Sequence, residues 1–298
     1  MLRKHLIFLI VGVTLFSSVE LGAIERPGKK LKFGRNIFEY DLYEPLKEKP
    51  VNLHYYIPQV DNVKELPILI AFHGNGRNAV SYMNVWARLA EANNIIVVIP
   101  EFTPEIFPGS DYNTGGILMR NVVQPEEKWA FSIIEPIFDF VRSDIGSVQT
   151  TYDIFGHSAG AQFAHRFLMF KRDTRVNRAT IANAGWYTVP DEKIGFPYGI
   201  KASPVKQRDL KNFFGKEVYL LLGTEDTDPN HKDLKKDRYT NKQGPHRYAR
   251  GYYFMEQLKR ISAAEGFELN WKIVDVEGAG HSNTQMAPAA VEVLYKQK

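Results

Sequence analysis

The sequence predicts an α/β fold, a mostly parallel sheet with helices on both faces. Three observations carry this. Strand-like runs and helix-period segments alternate along most of the chain, as they must where each parallel connection crosses over through a helix. The runs Leu66 to Phe72 and Ile95 to Ile99 are continuously apolar and of strand length, which suits strands buried on both faces. Finally, a glycine-flanked serine stands between a strand and a helix, at Gly156 to Gly160.

Taken in order, the chain opens with Arg3 and Lys4, an apolar run from Leu6 to Phe16, and small or polar residues ending at Gly22-Ala23. That order of regions reads as a secretory signal peptide over residues 1–23, cleaved after Ala23, with Leu21 and Ala23 at the minus-three and minus-one positions. The run is shorter than the roughly 18 apolar residues of a spanning helix, so no stable membrane anchor is expected after cleavage. The export compartment is periplasmic or extracellular. Residues 24–298 read as one domain.

A polar leader, Arg26 to Arg35, precedes early strands at Phe38 to Tyr43 and Val51 to Ile57. Between the two buried runs, Ser81 to Asn93 has helical spacing, with Met83, Trp86, Ala87, Leu89 and Ala90 on one face. Glu126 to Ile145 reads as the next helix, kinked at Pro136. Then follow a strand at Tyr152 to Phe155, a helix from Ala159 to about Lys171, a strand at Ala179 to Asn183 and an irregular stretch from Gly185 to about Leu210. Glu217 to Leu222 is a strand, Gln243 to Glu265 a helix, Leu269 to Val276 a strand and Thr284 to Tyr295 the closing helix.

The composition narrows the chemistry. With 298 residues, 44% hydrophobic and 24% charged, the chain is globular. Its net charge of +4 is far below the excess of a dedicated nucleic-acid binder, and no nucleic-acid partner is expected. There is no cysteine, which excludes disulfides, thiolate metal sites and a cysteine nucleophile.

In open parallel sheets the ligand sits beyond the carboxyl ends of the strands, so the residues after each strand carry the functional reading. Gly156-His157-Ser158-Ala159-Gly160 matches G-x-S-x-G. A strand-to-helix turn this tight strains the serine backbone, and side chains at the glycines would collide with neighbouring strands. Ser158 is therefore the candidate nucleophile. It needs a base, and His281 lies in a glycine-bearing loop after the last strand, able to carry an imidazole back over the sheet. The other histidines read as structural: His73 braces its loop, His157 points away from the serine, and His231 and His246 lie in a charged surface segment.

The base needs a carboxylate. Glu225, Asp226 and Asp228 follow the strand ending at Gly223; Asp226 is preferred, as the third residue after that glycine, with Asp228 in reserve. The oxyanion of an acyl transfer needs donors, assigned to the backbone N–H of Ala159 at the start of a helix and the N–H of Asn75 in the turn His73-Gly74-Asn75-Gly76, with Gly76 as the alternative.

With these motifs the chain resembles the α/β-hydrolase superfamily over essentially the whole mature sequence. Within it, the short H-G-x-G turn and single-domain length look like exported esterases of the polyhydroxybutyrate depolymerase and feruloyl esterase type. The resemblance implies an α/β-hydrolase fold, a Ser-His-Asp acyl-enzyme mechanism and no metal or organic cofactor, without fixing the substrate, for which a small or polymeric ester is the expectation. A peptidase or amidase with the same triad, or a catalytically silent binding protein on this fold, is the alternative.

Two insertions are expected to wall the cleft, Phe102 to Gly116 with Phe102, Phe107 and Tyr112, and Gly185 to Tyr198 with Trp186 as the chosen substrate contact. The basic segment His231 to Arg250 reads as a solvated face. Asp226 to Asn230 is similar to the start of a calcium loop, but His231 stands where that loop needs glycine, so no metal is expected.

Overall fold

A computed structural model describes residue 26 and residues 28–296; the signal peptide expected at 1–23 lies outside these. Ten strands occur among the described residues: β1 (Gly34–Tyr40), β2 (Val51–Ile57), β3 (Ile68–Phe72), β4 (Ile96–Glu101), β5 (Leu118–Met119), β6 (Val122–Val123), β7 (Tyr152–His157), β8 (Val176–Ala182), β9 (Glu217–Gly223) and β10 (Trp271–Val276). The helices are α1 (Ala79–Asn93), α2 (Gly109–Asn113), α3 (Ile134–Ile145), α4 (Ala159–Phe170), α5 (Lys211–Gly215), α6 (Thr240–Gln243), α7 (Arg247–Glu265) and α8 (Asn283–Val291).

Eight strands form one sheet in the order β1-β2-β4-β3-β7-β8-β9-β10, while β5 and β6 make a separate hairpin. β1 and β2 run antiparallel, and from β4 to β10 every pairing is parallel. The carboxyl ends of β3, β7, β8, β9 and β10 therefore share one edge. The central strands β3 and β7 are buried throughout, and β3 for that reason reads as an unbroken apolar run rather than an alternating one.

Each face of the sheet has its own core. On one, Met83 and Trp86 of α1 and Met286 and Ala290 of α8 pack on Leu69, Val97 and Phe155. On the other, Ile137 and Phe138 of α3, Phe163 and Phe167 of α4, and Phe254 and Leu258 of α7 cover Ile70, Ile154 and Leu220. Helix ends follow local chemistry. The Asn78 side chain accepts the Ser81 N–H at 2.9 Å to start α1, and Asn94 at φ 52° ends it. The leader is tied down too: Asp144 of α3 accepts from Arg26 and from the Leu31 N–H.

Three helix expectations are corrected. Glu126 to Ile145 is not one kinked helix; short 3-10 turns at Glu126–Lys128 and Ala130–Ile133 precede α3. Pro136 falls in the first turn of α3, where a missing N–H costs no helix bond. The helix expected from Gln243 is broken at Gly244, whose φ of 144° and ψ of 164° precede Pro245, because a residue before proline is excluded from the α region. The closing helix also ends early: α8 stops at Val291 and a π-turn covers Glu292–Lys296. The remaining strand and helix boundaries differ from expectation by up to four residues.

Candidate active site

Strand β7 turns into α4 at Ser158, whose backbone has φ 58° and ψ −116°. A non-glycine residue there stores about 1–3 kcal/mol. The turn is held by the Ser158 N–H on the Ala182 carbonyl at 3.0 Å. The flanking glycines are required by close approach. A Cβ on Gly156 would lie 2.4 Å from the Gly160 carbonyl oxygen, and one on Gly160 would lie 2.0 Å from that of Phe72.

The loop after β10 brings His281 back over the sheet edge. Its Nε2 is 2.9 Å from Ser158 Oγ, and its Nδ1 is 2.7 Å from Asp226 Oδ2. Asp226 is buried at the end of the turn after β9. Asp228 does not share this role; its Oδ1 accepts the N–H of Asn230 at 2.7 Å. The three residues expected to act together thus form one hydrogen-bonded chain. Burial lowers the His281 pKa below its ordinary value, against the pull of Asp226, and the positive charge of Arg247 adds to the lowering.

A cavity of about 340 Å³ opens over this chain, lined in part by Gly74, Asn75, Gly76, Ser158 and His281. A Cβ on Gly74 would lie 3.6 Å from the Ser158 Cβ and 2.9 Å from Tyr82 Oη, so the turn after β3 runs beside the serine. Ala159 follows the serine at the first position of α4. The turn that carries Asn75 and the first residue of α4 thus both border Ser158.

His73 braces its loop, as expected of it. Its Nε2 accepts the Phe102 N–H at 3.0 Å, its Nδ1 lies 3.1 Å from the Gly74 carbonyl, and burial pushes its pKa down to about 3. His157 bonds Tyr82 Oη through Nδ1 at 2.7 Å, and its ring packs 4.8 Å from that of His281. One other histidine is placed differently from expectation. His231 is half-buried rather than on an open charged face, with its ring 5.5 Å from His281.

The aromatic contacts expected along the cleft are also corrected. Phe102, Phe107 and Tyr112 are fully buried, and Tyr112 Oη donates to the His73 carbonyl at 2.6 Å. Trp186 is buried beneath the Arg166 guanidinium, 4.0 Å from its ring centre, with Lys235 and Tyr198 against it. Large aromatic faces pack wherever apolar area can be removed from water, and in both insertions the interior was within reach.

Asn183, at the end of β8, escaped the sequence reading. Its Oδ1 accepts the Gly223 N–H at 2.9 Å and its Nδ2 donates to the Gly280 carbonyl at 3.0 Å, joining the acid loop to the histidine loop. It adopts φ 48°, a region asparagine tolerates better than most residues. The run Ala182-Asn183-Ala184-Gly185 after a strand was the available signal.

No family model matches the chain, and no curated protein matches it. Solved structures do. The chain is similar to poly(aspartic acid) hydrolase-1 from Sphingomonas sp. KT-1, at 39% identity over 90% of this chain and 100% of that one, with a TM-score of 0.85. It is also similar to LpqC, a poly(3-hydroxybutyrate) depolymerase from Bordetella parapertussis, at 27% identity over 89% of this chain and 91% of that one, TM-score 0.84. An S-formylglutathione hydrolase from Agrobacterium tumefaciens shares the fold alone, at 12% identity over 92% and 99% of the two chains, TM-score 0.55. With its sheet, its strand-end serine and these relatives together, the chain belongs to the α/β-hydrolase superfamily and is a hydrolytic enzyme of the esterase type.

Proposed function

We propose that the protein is an exported serine hydrolase that cleaves carboxylic esters through an acyl-enzyme. Ser158 attacks the acyl carbon while His281 takes its proton, and His281 returns that proton to the leaving alcohol. Asp226 holds the imidazole with Nε2 toward the serine and stabilises the imidazolium that forms. The N–H groups of Asn75 and Ala159 hold the oxyanion. Water, activated by His281, then releases the acid and restores the serine. The observation that carries this reading is the continuous Ser158–His281–Asp226 chain, at 2.9 and 2.7 Å, on a strained strand-to-helix serine.

A second reading, amide hydrolysis by the same residues, is favoured by one observation. The relative at 39% identity is named for poly(aspartic acid), a polymer joined by amide bonds. Export rests on the order of basic, apolar and small residues over 1–23, and mass spectrometry of the protein from the periplasm or medium would find Ile24 as its first residue. Among the described residues no helix is long and apolar enough to cross a membrane.

Hydrolysis of p-nitrophenyl esters from acetyl to palmitoyl, measured beside Ser158→Ala, tests the main reading. Turnover lost by at least about a thousandfold in the variant is the expected result, and the chain-length profile sizes the acyl pocket. Turnover of aminoacyl arylamides with no ester hydrolysis would select the amidase reading. Equal activity in both proteins would show that Ser158 is not the nucleophile.

A further inference from the structure

The Asp226 carboxylate serves two partners. Oδ2 meets His281, while Oδ1 lies 3.2 Å from Nη1 of Arg247, at the start of α7. Both members of this ion pair are buried, the Arg247 side chain to 1% exposure and that of Asp226 to 3%. Such a guanidinium is costly to hold away from water unless its surroundings fix it. Its second arm, Nη2, lies 3.2 Å from Nδ1 of His231, and the same Nδ1 accepts the Asp233 N–H at 3.2 Å. A ring nitrogen facing two donors carries no hydrogen. In this arrangement His231 Nδ1 acts as an acceptor toward both. Its ring returns to pack on His281, which closes a circuit of four side chains: His281, Asp226, Arg247 and His231.

We propose that Arg247 is a positioning residue of the active site, holding the Asp226 carboxylate in the orientation that serves His281, and that Nδ1 of His231 holds the guanidinium in turn. The proposal rests on the roles given above to Ser158, His281 and Asp226. A carboxylate bonded through one oxygen alone is free to rotate about its Cβ–Cγ bond; a donor fixed on the other oxygen removes that freedom, and the imidazole inherits the order. The cation also has an electrostatic consequence. His281 faces His157 from β7, His231 and Asp226 from the loop after β9, and Arg247 from α7. Burial does most to lower the His281 pKa; of these neighbours Asp226 favours the imidazolium, while Arg247 and His231 oppose it. Arg247 thereby adds to what keeps His281 unprotonated, and able to act as a base, to lower pH.

The test is the rate at which a fluorophosphonate probe phosphonylates Ser158, followed from about pH 4 to 9, which needs no knowledge of the natural substrate. Arg247→Met is expected to lower the alkaline plateau roughly tenfold and to move the acidic limb to higher pH. Arg247→Lys, which keeps a cation but cannot span Asp226 and His231 together, is expected to lose severalfold in plateau rate with the limb in place. His231→Leu, which removes the acceptor for the second arm, is expected to lose a similar amount. If Arg247→Met does not fold, the other two variants carry the test. A limb that stays at its wild-type position in folded Arg247→Met, or wild-type rates in both Arg247→Lys and His231→Leu, overturns the proposal. Labelling that persists in Ser158→Ala overturns instead the reading of the site on which it rests.

Discussion

Gly160 has no room for a methyl group. Its missing side chain would meet the carbonyl oxygens of Phe72 and His73 at 2.0 and 2.8 Å, both on the backbone of the strand carrying the neighbouring turn. Gly160→Ala must therefore push β3 and α4 apart, and it is expected to destabilise the protein by more than about 2 kcal/mol. Gly76 has nothing within 4 Å of its would-be Cβ, and Gly76→Ala is expected to stay within about 0.5 kcal/mol. Urea denaturation of both variants checks the contrast. At this scale much was legible: a serine between two glycines after a strand signals a tight strand-to-helix turn, since few other arrangements need both glycines. The histidines were less legible. The place after the last strand singled out His281 as the base, but nothing in the spacing put His231 against it, 5.5 Å between ring centres.

Among elements, the loops after β8, β9 and β10 are joined by a single amide. Asn183→Ala removes the bonds to Gly223 and Gly280, leaving a backbone N–H and a carbonyl without those partners. About 2–4 kcal/mol of stability is expected to be lost. The hydrolytic rate is expected to fall by up to roughly tenfold, chiefly in kcat, because one tie between the acid and histidine loops is lost while others, such as the Glu225 N–H on the Ala279 carbonyl at 2.9 Å, remain. Steady-state kinetics and thermal melting on the same preparation separate the two effects. The elements themselves were readable wherever burial was two-sided, as in β3, β4 and β7. Expectation failed where proline entered a helical pattern. Glu126 to Ile145 keeps helical spacing of apolar residues, but 3-10 turns place Trp129, Phe131 and Ile133 in the core as well as a helix would, so the spacing did not discriminate.

For the whole molecule, burial of neutral histidines sets the response to acid. His73, His157 and His165 are buried in the interior, and burial lowers the pKa of each, that of His73 to about 3. An unfolded chain takes up these protons near the ordinary histidine value of 6.5, while the folded chain does not. The unfolded state then binds more protons, so stability falls as pH drops below 6.5, and for His73 the loss continues to about pH 3. Each such group contributes a slope of about 1.4 kcal/mol per pH unit inside its window. Urea midpoints are expected to fall steeply from about pH 6.5 downward. A flat profile between about pH 7 and 4.5 would show that these imidazoles are charged when folded.

By itself the sequence determined the class of fold and the chemistry available to it. Unbroken apolar strands alternating with helical segments require a parallel sheet, and a parallel sheet gathers the ends of its strands on one edge, so the order Ser158, Asp226, His281 already placed three functional groups together. Tertiary structure alone decided what surrounds them. Which aromatics pack and which line a cleft depends on free volume, a property of three dimensions rather than of spacing, and Trp186 went beneath Arg166 for that reason. The links among Asn183, Arg247, His231 and the catalytic loops join residues far apart in sequence through single hydrogen bonds. Such bonds leave no periodicity to read, because their partners are chosen by packing.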